Sequence, residues 1–109
     1  MYILVNEDVK IGKGKLAGQV GHAVATYFWR YIQSPTDNQY ELLKDYMVEQ
    51  KKIILKAPQP LCEQLEQEGY VRIRDLGYTQ LEPNTLTCIN LGIYNDGEEP
   101  EFIKELKLY

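Results

Sequence analysis

A chain of 109 residues with 44% hydrophobic content suits one domain, residues 1–109, large enough to close a core without disulfides or metals. Its net charge of -4 argues against a uniformly basic nucleic-acid binder. No apolar run approaches the roughly 18 to 20 residues of a membrane span, and the amino terminus does not read as a secretion signal.

The first apolar run, Tyr2 to Asn6, reads as a buried strand, and residues 13 to about 33 as a long helix. Ser34-Pro35-Thr36-Asp37-Asn38 breaks that helix, and Thr36 or Asp37 caps a second one through about Val48. Ile53-Ile54-Leu55 is a short interior strand stopped by Pro58 and Pro60, and Leu61, Cys62 and Leu65 give a short third helix ending at Gly69. Val71 and Ile73 alternate with Arg72 and Arg74, a strand that ends at Asp75 with its arginines extending a positive surface. A loop follows, then a strand from Thr85 to Ile93, a turn at Asn95-Asp96-Gly97 and an acidic stretch leading to the tail. The order β-α-α-β-α-β-β predicts a single three-layer α/β/α domain with a mixed four-stranded sheet. Ligands of such folds gather at the carboxyl ends of parallel strands, which here are the loops after the first strand and after Arg74.

The start of the first helix is unusual. Lys10, Lys13 and Lys15 surround Gly12 and Gly14, where the partial positive charge of a helix start ordinarily favours Asp or Glu. Free N–H groups and lysines there suit a phosphate or a developing oxyanion. At 3.6 residues per turn, Lys15, Gln19, His22 and Thr26 share one polar stripe, beside an apolar stripe of Leu16, Val20, Ala23 and Tyr27. Ala17, Gly18, Gly21 and Ala25 suggest close approach of a neighbouring element or a ligand. Charge is uneven too: residues 1–30 carry a surplus of two positives and the rest of the chain is acidic, so an anionic ligand is expected at the amino-terminal segment. Cys62 and Cys88 lack metal spacing and a CxxC arrangement, which fits core positions in a reduced, cytoplasmic protein.

The stretch from Val9 to Ala23, Val-Lys-Ile-Gly-Lys-Gly-Lys-Leu-Ala-Gly-Gln-Val-Gly-His-Ala, resembles the signature of the archaeal and eukaryotic type of peptidyl-tRNA hydrolase, the second class of that activity. Asp75-Leu-Gly-Tyr-Thr79-Gln80 and Pro83-Asn84-Thr85-Leu86-Thr87 resemble a second block of the same family, and Leu91-Gly92 and the closing Leu-Lys-Leu-Tyr also match. The resemblance implies hydrolysis of the ester joining a peptide to the 3′ end of tRNA, a translation and ribosome-rescue function. It implies no metal or other cofactor, a peptidyl-tRNA partner, no membrane and a homodimer. By position it implies catalytic roles for Lys15, Asp75, Thr79 and Thr87 and substrate-binding roles for Lys13, Gln19, His22, Gln80 and Thr85.

Ester hydrolysis needs an activated water, a donor for the carbonyl oxyanion and a proton for the leaving oxygen. Asp75 is expected to position or deprotonate the water and Lys15 to stabilise negative charge, with Thr79 and Thr87 orienting water and substrate. The chain departs from the family pattern at Asn6-Glu7-Asp8, where a negative charge replaces a positive one, and at Asn84, which stands for the family's glycine. Two rivals keep the fold without the reaction, a tRNA-binding module and a nucleotide-binding one. The latter rests on Gly12-x-Gly14-x-x-Ala17, which matches the dinucleotide fingerprint but starts six residues after Asn6 rather than directly after the strand.

Overall fold

Tyr2–Asn6 forms β1, and every residue after Tyr2 in it is buried, as befits a strand covered on both faces. There follow α1 (Lys13–Ile32), α2 (Asn38–Glu49), β2 (Ile53–Ala57), α3 (Gln59–Gln67), β3 (Val71–Arg74), β4 (Leu86–Gly92) and a 3₁₀ turn over Glu101–Glu105. The computed structural model describes residues 1–77 and 81–109, so Thr79 and Gln80 lie outside the described residues.

Apart from the 3₁₀ turn, the element order is the expected one. The sheet runs β2-β1-β4-β3, with β1 and β2 parallel and β4 antiparallel to both β1 and β3. Strands β1, β2 and β3 therefore point the same way, and their carboxyl ends share one rim with the start of β4. On one face, Ile3, Val5, Val71, Ile73 and Cys88 pack with Ala23 and Tyr27 of α1 and Leu43 and Tyr46 of α2. On the other, Leu4, Leu55, Leu86, Ile89 and Leu91 pack with Cys62 and Leu65 of α3 and Ile103. This is the α/β/α sandwich expected from the sequence, with both cysteines buried as free thiols.

Local chemistry sets the boundaries. The Asp37 carboxylate accepts from Gln39 N at 2.8 Å and caps α2. Pro60 sits in the first turn of α3, behind the N-cap Pro58, so it opens the helix rather than stopping a strand, and β2 runs on to Ala57. The tail is used as well: Lys56 N donates to Lys107 O at 2.8 Å and Tyr109 N to Ile54 O at 3.0 Å, which covers the outer edge of β2.

A Cβ added at Gly14, Gly18 or Gly21 would meet nothing within 4 Å, so of the two occupants expected at the small residues of α1, no neighbouring element of this chain closes on the glycines. They form an open face of α1. Among the described residues, no helix is long and apolar enough to cross a membrane.

Candidate active site

The rim made by the carboxyl ends of β1 and β3 receives the first turns of α1. Lys15 is held there, its Nζ 2.6 Å from Asp75 Oδ1, with side-chain exposures of 14% and 5% respectively. Asp75 follows directly on β3. Its backbone N donates to Thr85 O at 2.8 Å and its backbone O accepts from Asn84 N at 2.6 Å, while Oδ2 accepts from Gly77 N at 2.8 Å. Gly77 has φ +81°, and a Cβ on it would lie 2.7 Å from the Pro83 ring, so this turn takes glycine alone. The Lys15 ammonium beside it, helped by the Gly77 amide and against the effect of desolvation, holds the Asp75 carboxyl below its ordinary range. It is ionised at neutral pH and acts as an acceptor only.

Gln19, one turn beyond Lys15, carries the site inward. Its Nε2 donates to Asp75 Oδ1 at 3.4 Å, and its Oε1 accepts from Thr87 Oγ1 at 2.6 Å. Thr87 is there because of a β-bulge. The register of β3 against β4 passes from Ile73↔Cys88 to Arg74↔Leu86, so Thr87 is the extra residue, and both Thr87 and Cys88 face α1 in spite of strand alternation. Thr87 also lies 3.2 Å from Ile73 O. Only 1% exposed, it meets the site through Gln19.

A groove of about 570 Å³ opens over this pair, lined by Lys15, Gln19, His22, Ala25, Thr26, Arg72, Ile73, Arg74, Asp75 and Leu76. All four members of the polar stripe are present, and Ala25 lies among them. The groove is lined by small and cationic groups and one carboxylate.

Other expected residues are placed elsewhere. Lys13 lies with Leu16, Ala17, Val20, Ile54, Leu108 and Tyr109 around a separate hollow. Thr85 donates its hydroxyl to Glu82 O at 2.7 Å and contributes its backbone to Asp75. The positive surface expected from Arg72 and Arg74 is partly neutralised, because Arg72 Nε and Arg74 Nη2 both stand 2.7 Å from Glu66 oxygens. Asn84 has φ +70°, the left-handed conformation that Asn tolerates better than most residues.

The sequence analysis missed what Asn6 and Asp8 do. The buried Asn6 amide donates to Leu86 O at 2.9 Å and Gln59 Oε1 at 3.0 Å, and Asp8 Oδ2 accepts from Gln59 N at 2.8 Å. The acidic residue after β1 thus caps the start of α3 across the rim, where the helix dipole favours it. Asp8 and a helix start lie far apart in sequence, but Pro60 at the head of α3 marks an N-terminus whose own N-cap, Pro58, has no side-chain acceptor. Gly12 is the N-cap of α1 and Gly14 is already inside its first turn, unlike a dinucleotide loop. Among the described residues no three His, Cys, Asp or Glu side chains converge to hold a metal.

Comparison with known proteins places the chain among named relatives. The family model described as Peptidyl-tRNA hydrolase PTH2 matches residues 1–109. A protein named peptidyl-tRNA hydrolase from Saccharolobus islandicus is 37% identical over 84% of this chain and 83% of its own length. Its namesake from Haloquadratum walsbyi is 36% identical over 98% and 96%, and one from Thermoplasma volcanium is 34% identical over 84% and 82%.

Proposed function

We propose that this chain, which belongs to the peptidyl-tRNA hydrolase PTH2 family and hydrolyses peptidyl-tRNA, does so at the Lys15–Asp75 pair in the α1–β3 groove. The observation that carries this reading is the 2.6 Å contact between an ammonium and a carboxylate that line a groove open to substrate.

In the reaction, water oxygen bonds to the ester carbonyl carbon, the bond from that carbon to the ribose oxygen breaks, one water proton ends on the ribose oxygen, and the other leaves to solvent as the peptide carboxyl ionises. Asp75, ionised and anchored through both carboxylate oxygens, accepts a hydrogen bond from the water and orients it. As a weak base it works mainly by position and field. Lys15 has three donors, one of which is directed to Asp75, and it stabilises the oxyanion that forms as water adds; one such donor typically contributes about 10²–10³ in rate. Gln19 donates to the same Asp75 oxygen as Lys15, and Thr87 fixes the Gln19 amide. His22 and Thr26 line the path of the substrate. For Thr79 and Gln80 the support is the motif alone: Thr79 orients water and Gln80 binds substrate. Lys13 and Thr85 serve the tRNA backbone and the loop respectively.

Residues 1–109 act as one domain, in the cytoplasm, with peptidyl-tRNA as substrate. The two buried free thiols fit a reducing compartment, and exposed Trp29 and Ile32 on α1 fit a homodimer, which sedimentation measures. The test of the function is release of peptide from purified N-blocked aminoacyl-tRNA in the presence of EDTA. Turnover by the purified chain supports the reading. Binding of the tRNA without release would instead make it a tRNA-binding module.

A further inference from the structure

The carboxylate that faces Lys15 hangs from a backbone that is already leaving the sheet. Beyond the β3–β4 bulge the regular pairing ends at Arg74↔Leu86, and Asp75 is held by its two backbone bonds to Asn84 and Thr85. What holds Asn84 therefore helps to place Asp75. Asn84 makes two contacts in opposite senses, its N–H on Asp75 O at 2.6 Å and its carbonyl under Arg74 Nη1, also at 2.6 Å.

Arg74 is gripped in turn. Its Nε and Nη2 donate to Glu66 Oε2 and Oε1 at 2.8 and 2.7 Å, the bidentate fork that a guanidinium makes with a carboxylate. Glu66 lies near the end of α3, which is fastened to the sheet by buried Cys62 and Leu65. An unbroken path thus runs from a packed helix to the Asp75 backbone. Resting on the assignment of Asp75 to the reaction, we propose that Glu66 and Arg74 are positioning residues for the hydrolysis, a clamp that sets Asp75 at contact distance from Lys15.

The residue types are those the task demands. Only a planar group with several fixed donors grips a carboxylate with two nitrogens and still offers a third to a carbonyl; lysine is a single point of charge. Glu66 also receives Arg72 Nε at 2.7 Å, which neutralises it further and keeps its oxygens in place. The consequence for rate follows from geometry, since a displacement of about 1 Å at a reacting group costs on the order of 10²-fold.

The test is steady-state hydrolysis of N-blocked aminoacyl-tRNA by the full chain bearing Arg74→Lys, Glu66→Gln or both, well below the unfolding temperature. The clamp predicts that Arg74→Lys lowers kcat about tenfold with KM within about twofold, equivalent to about 1.4 kcal/mol of barrier. Glu66→Gln lowers kcat about threefold, and the double variant is no slower than Arg74→Lys alone. The acid limb of the kcat–pH profile moves to higher pH as Asp75 loosens from Lys15. Unchanged kcat in both single variants overturns the clamp. So does a loss confined to KM with a shallower salt dependence, which would make Arg74 a phosphate contact. Should Arg74→Lys melt early, Glu66→Gln, isosteric and partly exposed, decides the matter alone. Asp75→Asn run in parallel separates the two levels: activity in Asp75→Asn removes the site assignment, whereas its loss alongside normal turnover by Arg74→Lys removes only the clamp.

Discussion

Thr87 Oγ1 donates to Gln19 Oε1 at 2.6 Å across 68 positions of sequence, and this bond fixes which end of the amide meets Asp75. With Oε1 committed to the hydroxyl, Nε2 is turned to the carboxylate. Both partners are buried, so the pair is a device for orientation beneath the groove. Thr87→Val keeps the shape and removes the donor. It is expected to destabilise the fold by about 1–3 kcal/mol, the usual cost of a buried acceptor left without its partner, and to lower kcat several-fold as the amide loses its orientation. Thr87→Ser restores both. Denaturant unfolding and hydrolysis of the three proteins check this.

The pH dependence follows from the Lys15–Asp75 contact. Because the folded state holds the Asp75 carboxyl low, chiefly through the Lys15 hydrogen bond, its contribution to stability is fully present above the ordinary carboxylate value of about 4. That contribution is lost as pH falls through the depressed value. The active ionised form persists over the same range, so kcat stays flat through the ordinary range on the acid side. Lys15→Met removes the cause, and the acid limb of its residual activity moves upward towards or above about 4. A pH–rate profile of the two proteins, with folding followed by circular dichroism, reads the shift.

Asp8 offers a contrast between fold and chemistry. Its carboxylate caps α3 through Gln59 N and stands apart from the groove-lining residues. Asp8→Ala should cost about 1 kcal/mol of stability, as loss of a capping side chain does, and leave kcat within about twofold. A large loss of turnover with unchanged stability would contradict this division.

At Asn84 the left-handed backbone, φ +70°, discriminates among substitutions. Asn84→Gly is expected to be nearly neutral in stability, and Asn84→Val to cost about 1–2 kcal/mol, the penalty of a side chain against the carbonyl in that conformation. Thermal melts of both decide.

Much of this was legible in the chain because helical periodicity is a local property. The stripe of Lys15, Gln19, His22 and Thr26 lines the groove, and the alternation of Val71 and Ile73 with two arginines puts the apolar pair on the α1 face. What periodicity misses is contact between distant segments. The bulge that turns Thr87 towards Gln19 breaks the alternation from which its direction would be read. Arg72 and Arg74 look like free positive surface until α3 brings Glu66 beneath them. The capping role of Asp8 is hidden until the start of α3 is beside it. The open face of α1 shows the converse: small residues suggest close approach, and the glycines among them meet no neighbouring element of the chain.

The most direct measurement is a single-turnover assay of peptide release from N-blocked aminoacyl-tRNA, with enzyme in excess, comparing the natural chain with Asp75→Asn and Lys15→Ala. The Lys15–Asp75 account predicts that each substitution slows the chemical step at least about tenfold, or 1.4 kcal/mol, while the protein stays folded and still binds the tRNA. Natural rates in both variants would contradict it and place the reaction elsewhere in the chain.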